Sequence, residues 1–404
     1  MENKRRVVVT GVGIVSSIGI GKDKFWEALI SGKSGISEIT SIDTTQCNYH
    51  YGGEVKDFNP QDFIPKRKIR FLGRTSQLAI SATSLALEDA KLFYKKLPKE
   101  KIGVIIGTTV GERPLEELVT TWARRGLKDI DRTRIFQAAA NNISANIGIH
   151  FKFCGPNYLI PTACSAGNYA ISYGFDLIRK GELSFVLAGG AEAFSQIAFF
   201  GFQRLYAMAP KICQPFDKNR KGMILGEGAG VLLLESLESA IKRGIDIYAE
   251  ILGCGLSCDA YHPTAPDKEG ISKAIEKALK EASVAPEDID YICAHGTGTP
   301  ANDKAEVEAI KKVFKERYKE IPISSIKSML GHTLGAASGI EAVACCLAIK
   351  NGIIPPTINY ETPDPDCDID CVPNKAQKKD VKIALINSFG PGGYNSSCVL
   401  EKYS

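Results

Sequence analysis

Short runs of consecutive apolar residues alternate along this chain with longer segments whose apolar positions recur every three or four residues. The first pattern predicts strands buried on both faces, the second helices with one apolar face. Residues 5–12, 101–107, 157–162, 184–189 and 228–235 carry the strand pattern, and residues 25–32, 74–90 and 169–178 the helix pattern. A second series begins near Tyr248, with strands at 247–255, 289–294, 321–325 and 383–387 and helices at 270–282, 303–313 and 336–350. Both series open on a strand ending in glycine, pass through a helix, and reach a short apolar strand running into glycines and threonines. This order predicts an α/β fold and suggests a duplication, although no residue-level repeat links the two series. Pro- and Gly-rich breaks at 259–267 and 355–373 predict non-helical connectors.

The 404 residues are 44% apolar and 24% charged, as in an ordinary globular chain. A net charge of +4 is nearly balanced and does not fit the basic surface of a nucleic-acid binder. No run approaches the roughly 18 apolar residues of a membrane helix. The apolar stretch Val7-Val8-Val9 after the charged start is too short for a signal peptide. A cytoplasmic protein without nucleic-acid or membrane partners is expected. The chain has 12 cysteines, and disulfides would not persist in a cytosol. Cys254 with Cys258 and Cys367 with Cys371 have close spacing but lack the neighbouring Cys or His of a zinc site. Most thiols are therefore expected to be small core residues, with no metal site.

Three residues stand apart by their surroundings. Cys164 lies in Thr162-Ala163-Cys164-Ser165-Ala166-Gly167, between a predicted strand and a predicted helix. A helix N-terminus favours a thiolate, and the small neighbours leave room for a sharp turn and a substrate. His295, in His295-Gly296-Thr297-Gly298-Thr299, and His332, in Lys327-Ser328-Met329-Leu330-Gly331-His332, each follow an apolar strand and lie among glycines. Only five histidines occur in the chain. The glycines of Gly11-Val12-Gly13 lack the spacing of a dinucleotide site.

Taken together, these segments resemble the β-ketoacyl-acyl-carrier-protein synthases of types I and II and the related polyketide synthase subunits. The likeness spans nearly the whole chain, from Val8-Val9-Thr10-Gly11-Val12-Gly13 through Ala188-Gly189-Gly190-Ala191-Glu192-Ala193, Pro215-Phe216-Asp217 and Gly226-Glu227-Gly228-Ala229 to Asn387-Ser388-Phe389-Gly390. It implies a thiolase fold, a five-layered αβαβα sandwich of two similar halves. Residues 1–247 would carry the nucleophilic cysteine and residues 248–404 the two histidines, and the usual state would be a homodimer. It implies that Cys164 accepts the acyl group, that His295 and His332 hold the thioester carbonyl of a malonyl donor, and that Lys327 supports the site with Glu306 as its partner. Thr297 and Thr299 would contact the phosphopantetheine arm of an acyl-carrier protein, and Phe389, Pro391 and Gly392 would border the acyl substrate. No metal or redox cofactor is implied. A degradative thiolase would use a second cysteine in place of the histidine pair.

The chain departs from the family at one loop. The family reads Ser-Phe-Gly-Phe-Gly-Gly-Thr-Asn where this chain has Ser388-Phe389-Gly390-Pro391-Gly392-Gly393-Tyr394-Asn395. Pro391 thus replaces a gatekeeper phenylalanine whose backbone amide joins that of the nucleophile in the oxyanion hole. Proline has no N–H, so one donor is absent or is replaced by a neighbour such as Gly392. The expected consequences are an altered acyl gate, or dependence on a chain-length-factor-like partner in polyketide or aryl-polyene synthesis, or local compensation. The basic segment Lys66, Arg67, Lys68 and Arg70 is either a solvated helix edge or a docking site for an acidic carrier protein.

Overall fold

The computed structural model describes residues 5–135 and 137–404; the charged start of the chain, residues 1–4, lies outside them. Ten strands run across the main sheet, and a two-residue strand, Gly19–Ile20, pairs with the end of the first. In chain order the ten are β1 (Val7–Ser16), β2 (Ile102–Gly107), β3 (Asn157–Ile160), β4 (Phe185–Glu192) and β5 (Gly228–Ser236), then β6 (Ala249–Cys258), β7 (Tyr291–Cys293), β8 (Ile323–Ser324), β9 (Ile383–Gly390) and β10 (Tyr394–Glu401). Across the sheet they run β3-β2-β4-β5-β1, then β6-β10-β9-β7-β8. Each set of five therefore has the spatial order third, second, fourth, fifth, first. The pairings match as well: in both sets the two junctions farther from the join are parallel and the two nearer it antiparallel. The sets meet where β1 pairs antiparallel with β6, Val7 opposite Ile251. This is the duplication that the two apolar series suggested.

Six helices complete the layers: α1 (Arg74–Asp89), α2 (Asn142–Phe151), α3 (Ala166–Arg179), α4 (Lys268–Ala282), α5 (Pro300–Phe314) and α6 (Ala337–Asn351). Helices α1 and α2 cover the outer face of the first strand set and α4 and α5 that of the second, while α3 and α6 lie between the sets. The result is the five-layered thiolase-like α/β fold. Helix α6 is apolar on all sides because it is buried on all sides. The same helix with its preceding turn, Leu334–Asn351, is the one stretch among the described residues long and apolar enough to cross a membrane, and it is core.

The predicted strands and helices all form, with no end moved by more than four residues. Strand β10 was not anticipated. Its buried positions include Asn395, Ser396 and Ser397, which hydrogen-bond to neighbouring strands, so its sequence lacks an apolar alternation. Helix α2 also went unpredicted. Nine of the 12 thiols are buried, and Cys47, Cys154 and Cys258 reach solvent to different degrees.

The inner helices touch through glycines. A Cβ on Gly339 of α6 would lie 2.5 Å from the Gly230 carbonyl oxygen of β5 and 2.6 Å from the Gly190 nitrogen of β4, while one on Gly167 of α3 would lie 2.6 Å from the Gly339 nitrogen. These obstacles are backbone and cannot rotate away. Because α3 starts just after Cys164 and α6 just after His332, this crossing sets the relative position of both residues. Gly339→Ala is expected to destabilise by roughly 1–3 kcal/mol in urea unfolding, the usual range for overpacking. Gly201→Ala, in an exposed helix with open space at its Cβ, should be neutral or stabilising by up to ~1 kcal/mol. Equal effects of the two would contradict the packing argument.

Candidate active site

Cys164 sits in a single 3-10 turn, Ala163–Ser165, that leads from β3 into α3. Ala163 adopts φ +50°, a left-handed conformation rare for a residue with a Cβ. Ser388 Oγ donates to the Cys164 carbonyl at 3.0 Å and ties the turn to β9. The thiol is buried. Burial pushes it up to about 12, offset in part by the charge of Lys327. The sequence expectation of a thiolate fits the helix N-terminus, but desolvation opposes it more strongly. Burial thus favours the thiol form.

His295 follows β7. Its N–H and that of Gly296 donate to the two carboxylate oxygens of Glu306, each at 2.8 Å. Lys327 donates to the His295 carbonyl at 2.6 Å and to its Nδ1 at 3.4 Å. An ammonium can only donate, so Nδ1 accepts and Nε2 of a neutral ring carries the hydrogen. His332 reaches the same tautomer by another route: its Nδ1 accepts the N–H of Leu334 at 3.3 Å. Its main chain is bound to the 224–226 segment, N–H to Ile224 at 2.6 Å and carbonyl from Gly226 at 2.9 Å. Burial, and then the charge of Lys327, hold both imidazoles well below the usual range. Two neutral rings, 5.3 Å apart between centroids, thus each keep an Nε2–H free of the bonds that fix the ring.

A cavity of about 350 Å³ collects these groups. Cys164, His295, His332, Thr297, Thr299, Phe389 and Pro391 all line it. Thr297 and Thr299 share a hydrogen bond between hydroxyls at 2.8 Å, and the Phe389 ring lies 5.6 Å from that of His295. The cavity wall also includes Met223, Tyr206, His262 and Asn302, which the sequence did not single out.

Two expectations need correction. Lys327 pairs with Glu341 on α6, not with Glu306. Glu306 instead accepts backbone N–H groups, and burial pushes it up to about 7. Glu341 had a visible signal, as the only charged residue of α6 before Lys350. Gly392 does not replace the donor that Pro391 lacks. Its N–H donates to the Pro263 carbonyl at 2.7 Å, it does not border the cavity, and the next N–H, of Gly393, turns back to Gly390 at 3.1 Å. Lys66, Arg67 and Lys68 lie in a one-turn helix, Lys66–Ile69, followed by Arg70 over the Phe71 ring. None of the four is ion-paired among the described residues, and none lines the catalytic cavity.

A fold of two equivalent five-strand sets, with one thiol and two histidines facing one cavity, defines a condensing enzyme of the thiolase-like class. The chain belongs to the β-ketoacyl synthase family: residues 4–240 match the model of the β-ketoacyl synthase N-terminal domain and residues 248–361 that of its C-terminal domain. Curated relatives include the 3-oxoacyl-[acyl-carrier-protein] synthase 2 of Synechocystis, 42% identical over 99% of both chains. The protein of that name from Staphylococcus aureus strain COL is 41% identical over the full length of both. Among solved structures, the ishigamide ketosynthase/chain length factor superposes with a TM-score of 0.96 at 43% identity, covering 99% of this chain and 100% of that one. A β-ketoacyl synthase from Burkholderia phymatum gives 0.92 at 32% identity, with the same coverage.

The raised carboxyl of Glu306 has a signed consequence for stability. Between the ordinary value near 4.5 and the folded value of about 7, the folded state holds the proton more tightly than the unfolded one. Stability from this group is therefore lost as pH rises through that window. The stability of the wild type relative to Glu306→Gln is expected to fall from pH 4.5 to 7 and to level off above it, measured by urea unfolding at fixed ionic strength. A difference that is independent of pH, or rises with it, would contradict the assignment.

Proposed function

We propose that this protein is a β-ketoacyl synthase that extends acyl chains by decarboxylative Claisen condensation. It takes its substrates as thioesters on the phosphopantetheine of an acyl-carrier protein and works in the cytoplasm without metal or redox cofactor. The observation that carries the reading is the meeting of one thiol with two neutral Nε2–H imidazoles in a single cavity. The relatives named 3-oxoacyl-[acyl-carrier-protein] synthase support the substrate class.

The Cys164 sulfur attacks the acyl thioester, the pantetheine thiolate departs, and it takes up the thiol proton. Malonyl thioester then enters along the hydroxyls of Thr297 and Thr299. Its carboxylate leaves as carbon dioxide, and the bonding electrons collect on the thioester oxygen as an enolate. The Nε2–H groups of His295 and His332 donate to that oxygen, each worth about 3 kcal/mol when pre-oriented in a site that excludes water. The enolate carbon attacks acyl-Cys164. The tetrahedral intermediate collapses, expelling the sulfur, which regains a proton, and releasing the β-ketoacyl thioester.

A second reading concerns the partner. The loop at Pro391 offers no spare N–H, because those of Gly392 and Gly393 are engaged. Leu115, Val119 and Trp122 stand exposed on the helix Pro114–Arg125, a patch suited to another subunit. In this reading the chain is the catalytic ketosynthase subunit of a type II polyketide or aryl-polyene heterodimer with a chain-length-factor-like protein, rather than half of a homodimer. The ketosynthase/chain length factor neighbour supports it.

Mixing the purified chain with acyl-carrier protein and weighing the protein tests both readings. One acyl group is expected on Cys164, and Cys164→Ala should abolish acylation and condensation; a Cys164→Ala protein with full condensing activity would sink the function. Fast, stoichiometric acylation of the chain alone would exclude dependence on a partner. For carrier docking, reversing the charges of Lys66, Arg67 and Lys68 is expected to raise KM for carrier-bound substrate about tenfold and to leave a small thioester mimic unaffected. Equal effects on both substrates would place docking elsewhere.

A further inference from the structure

Glu192 ends β4, is fully buried, and does not line the catalytic cavity. Its carboxylate accepts five hydrogen bonds. Oε1 receives Thr108 Oγ1 at 2.9 Å and the N–H groups of Val110 at 3.1 Å and Gly111 at 3.3 Å. Oε2 receives the N–H groups of Thr109 at 2.6 Å and Gly335 at 3.1 Å. No cation pairs with it among the described residues. A carboxylate solvated only by aimed N–H and O–H groups acts as a clamp on the segments that supply them.

Two turns meet at this clamp. One follows β2 and the other follows His332. They pack so closely that a Cβ on Gly335 would lie 2.4 Å from the backbone of Thr108 and Thr109. In the second turn, consecutive N–H groups divide their work: that of Leu334 fixes His332 Nδ1, and that of Gly335 goes to Glu192. Leu334 adopts φ +48°, so this turn is held in a conformation that its side chain disfavours. The first turn has other supports, Thr108 N–H to Ile160 at 3.1 Å, Gly111 N–H to Thr108 Oγ1 at 3.2 Å and Thr75 Oγ1 to the Gly111 carbonyl at 2.7 Å. The N–H of Gly335 has its bond to Glu192.

We propose that Glu192 is a positioning residue for the decarboxylation step: by holding the Gly335 N–H it keeps the Leu334 N–H on His332 Nδ1 and thereby aims the Nε2–H of His332 at the enolate oxygen. The proposal rests on the reading of His332 as an enolate donor. Loss of the clamp should harm the step that uses both imidazoles and spare the transfer of an acyl group to Cys164. Purely structural damage would harm both.

The test uses the full-length protein with malonyl- and acyl-carrier protein. Carbon dioxide release from malonyl-carrier protein and acylation of Cys164 by intact mass are measured separately, for wild type, Glu192→Gln and Glu192→Asp. Glu192→Gln keeps the shape but turns an amide NH₂ toward N–H donors. It is expected to slow decarboxylation roughly 10–100-fold and acylation less than about threefold, as for a misplaced catalytic group. Glu192→Asp, which keeps the acceptors at shorter reach, should fall between Glu192→Gln and wild type in decarboxylation. Equal losses in the two half-reactions, or unchanged decarboxylation in Glu192→Gln, would overturn the proposal. Should Glu192→Gln fail to fold, the same split is read in Glu192→Asp, and equal losses there overturn it too. A wild-type protein that acylates Cys164 but releases no carbon dioxide would remove the His332 reading itself, and this inference with it.

Discussion

The ammonium of Lys327 is the pivot of the structure. It is buried, and all three of its N–H donors are engaged, by the carbonyl of His295, by Nδ1 of the same ring and by Glu341. A charge in this setting is tolerable only when paired and fully hydrogen-bonded, and removing one partner leaves the other stranded. The geometry of three elements is therefore linked: the turn after β7 that carries His295, the turn that carries Lys327, and the helix α6 that carries Glu341. Since α6 also crosses α3 at Gly167 and Gly339, the position of Cys164 is referred to the same helix. The two imidazoles and the thiol are far apart in sequence, and this ion pair and close helix crossing tie His295 and Cys164 to one helix, alongside the backbone bonds that hold His332.

The buried carboxylates show a consistent use. Glu306 and Glu192 do not act on the cavity; each accepts main-chain N–H groups from a turn next to a catalytic histidine. Burial raises both to about 7, and the N–H groups that face them oppose that rise without cancelling it. The cavity itself holds a neutral thiol and two neutral rings. A malonyl carboxylate entering such a site exchanges its hydration for few charge-stabilising contacts. In the proposed mechanism, losing it as carbon dioxide would move the negative charge to the enolate oxygen, toward the Nε2–H donors. The site thus favours the distribution of charge in the product of decarboxylation over that in the substrate.

Much of this was legible in the sequence because it depends on local pattern. The strands of both series are short apolar runs, and Cys164, His295 and His332 are marked by small residues and glycines where backbone approaches backbone. What could not be read was pairing across the fold. Glu306 and Glu341 are both acidic residues on helices after a catalytic turn, and only tertiary geometry decides that the first binds N–H groups while the second binds Lys327. Glu192 lay in a segment already quoted for its family likeness, yet its role depends on two turns 227 positions apart (Thr108 and Gly335) being in contact. Strand β10 was missed for a related reason. Its inward side chains are polar and satisfied within the protein, so a hydrophobic pattern cannot find it.

Pro391 divides the two halves of the chemistry. In the proposed mechanism the enolate donors are His295 and His332, whose tautomers are fixed by Lys327 and the Leu334 N–H of this chain. For the carbonyl of an acyl group on Cys164 in that mechanism, Pro391 has no N–H to offer, and the adjacent N–H groups are bound to Pro263 and Gly390. In the proposed mechanism a missing donor of this kind would raise the barrier to forming and collapsing the tetrahedral intermediate by about 3 kcal/mol and leave the barrier to decarboxylation unchanged. Such an imbalance would let malonyl thioester be consumed before an acyl group is ready to receive the carbanion. The carbonyl of Pro263, which lies in the 259–267 connector at the cavity wall, binds the Gly392 N–H and so keeps it from serving as the substitute donor.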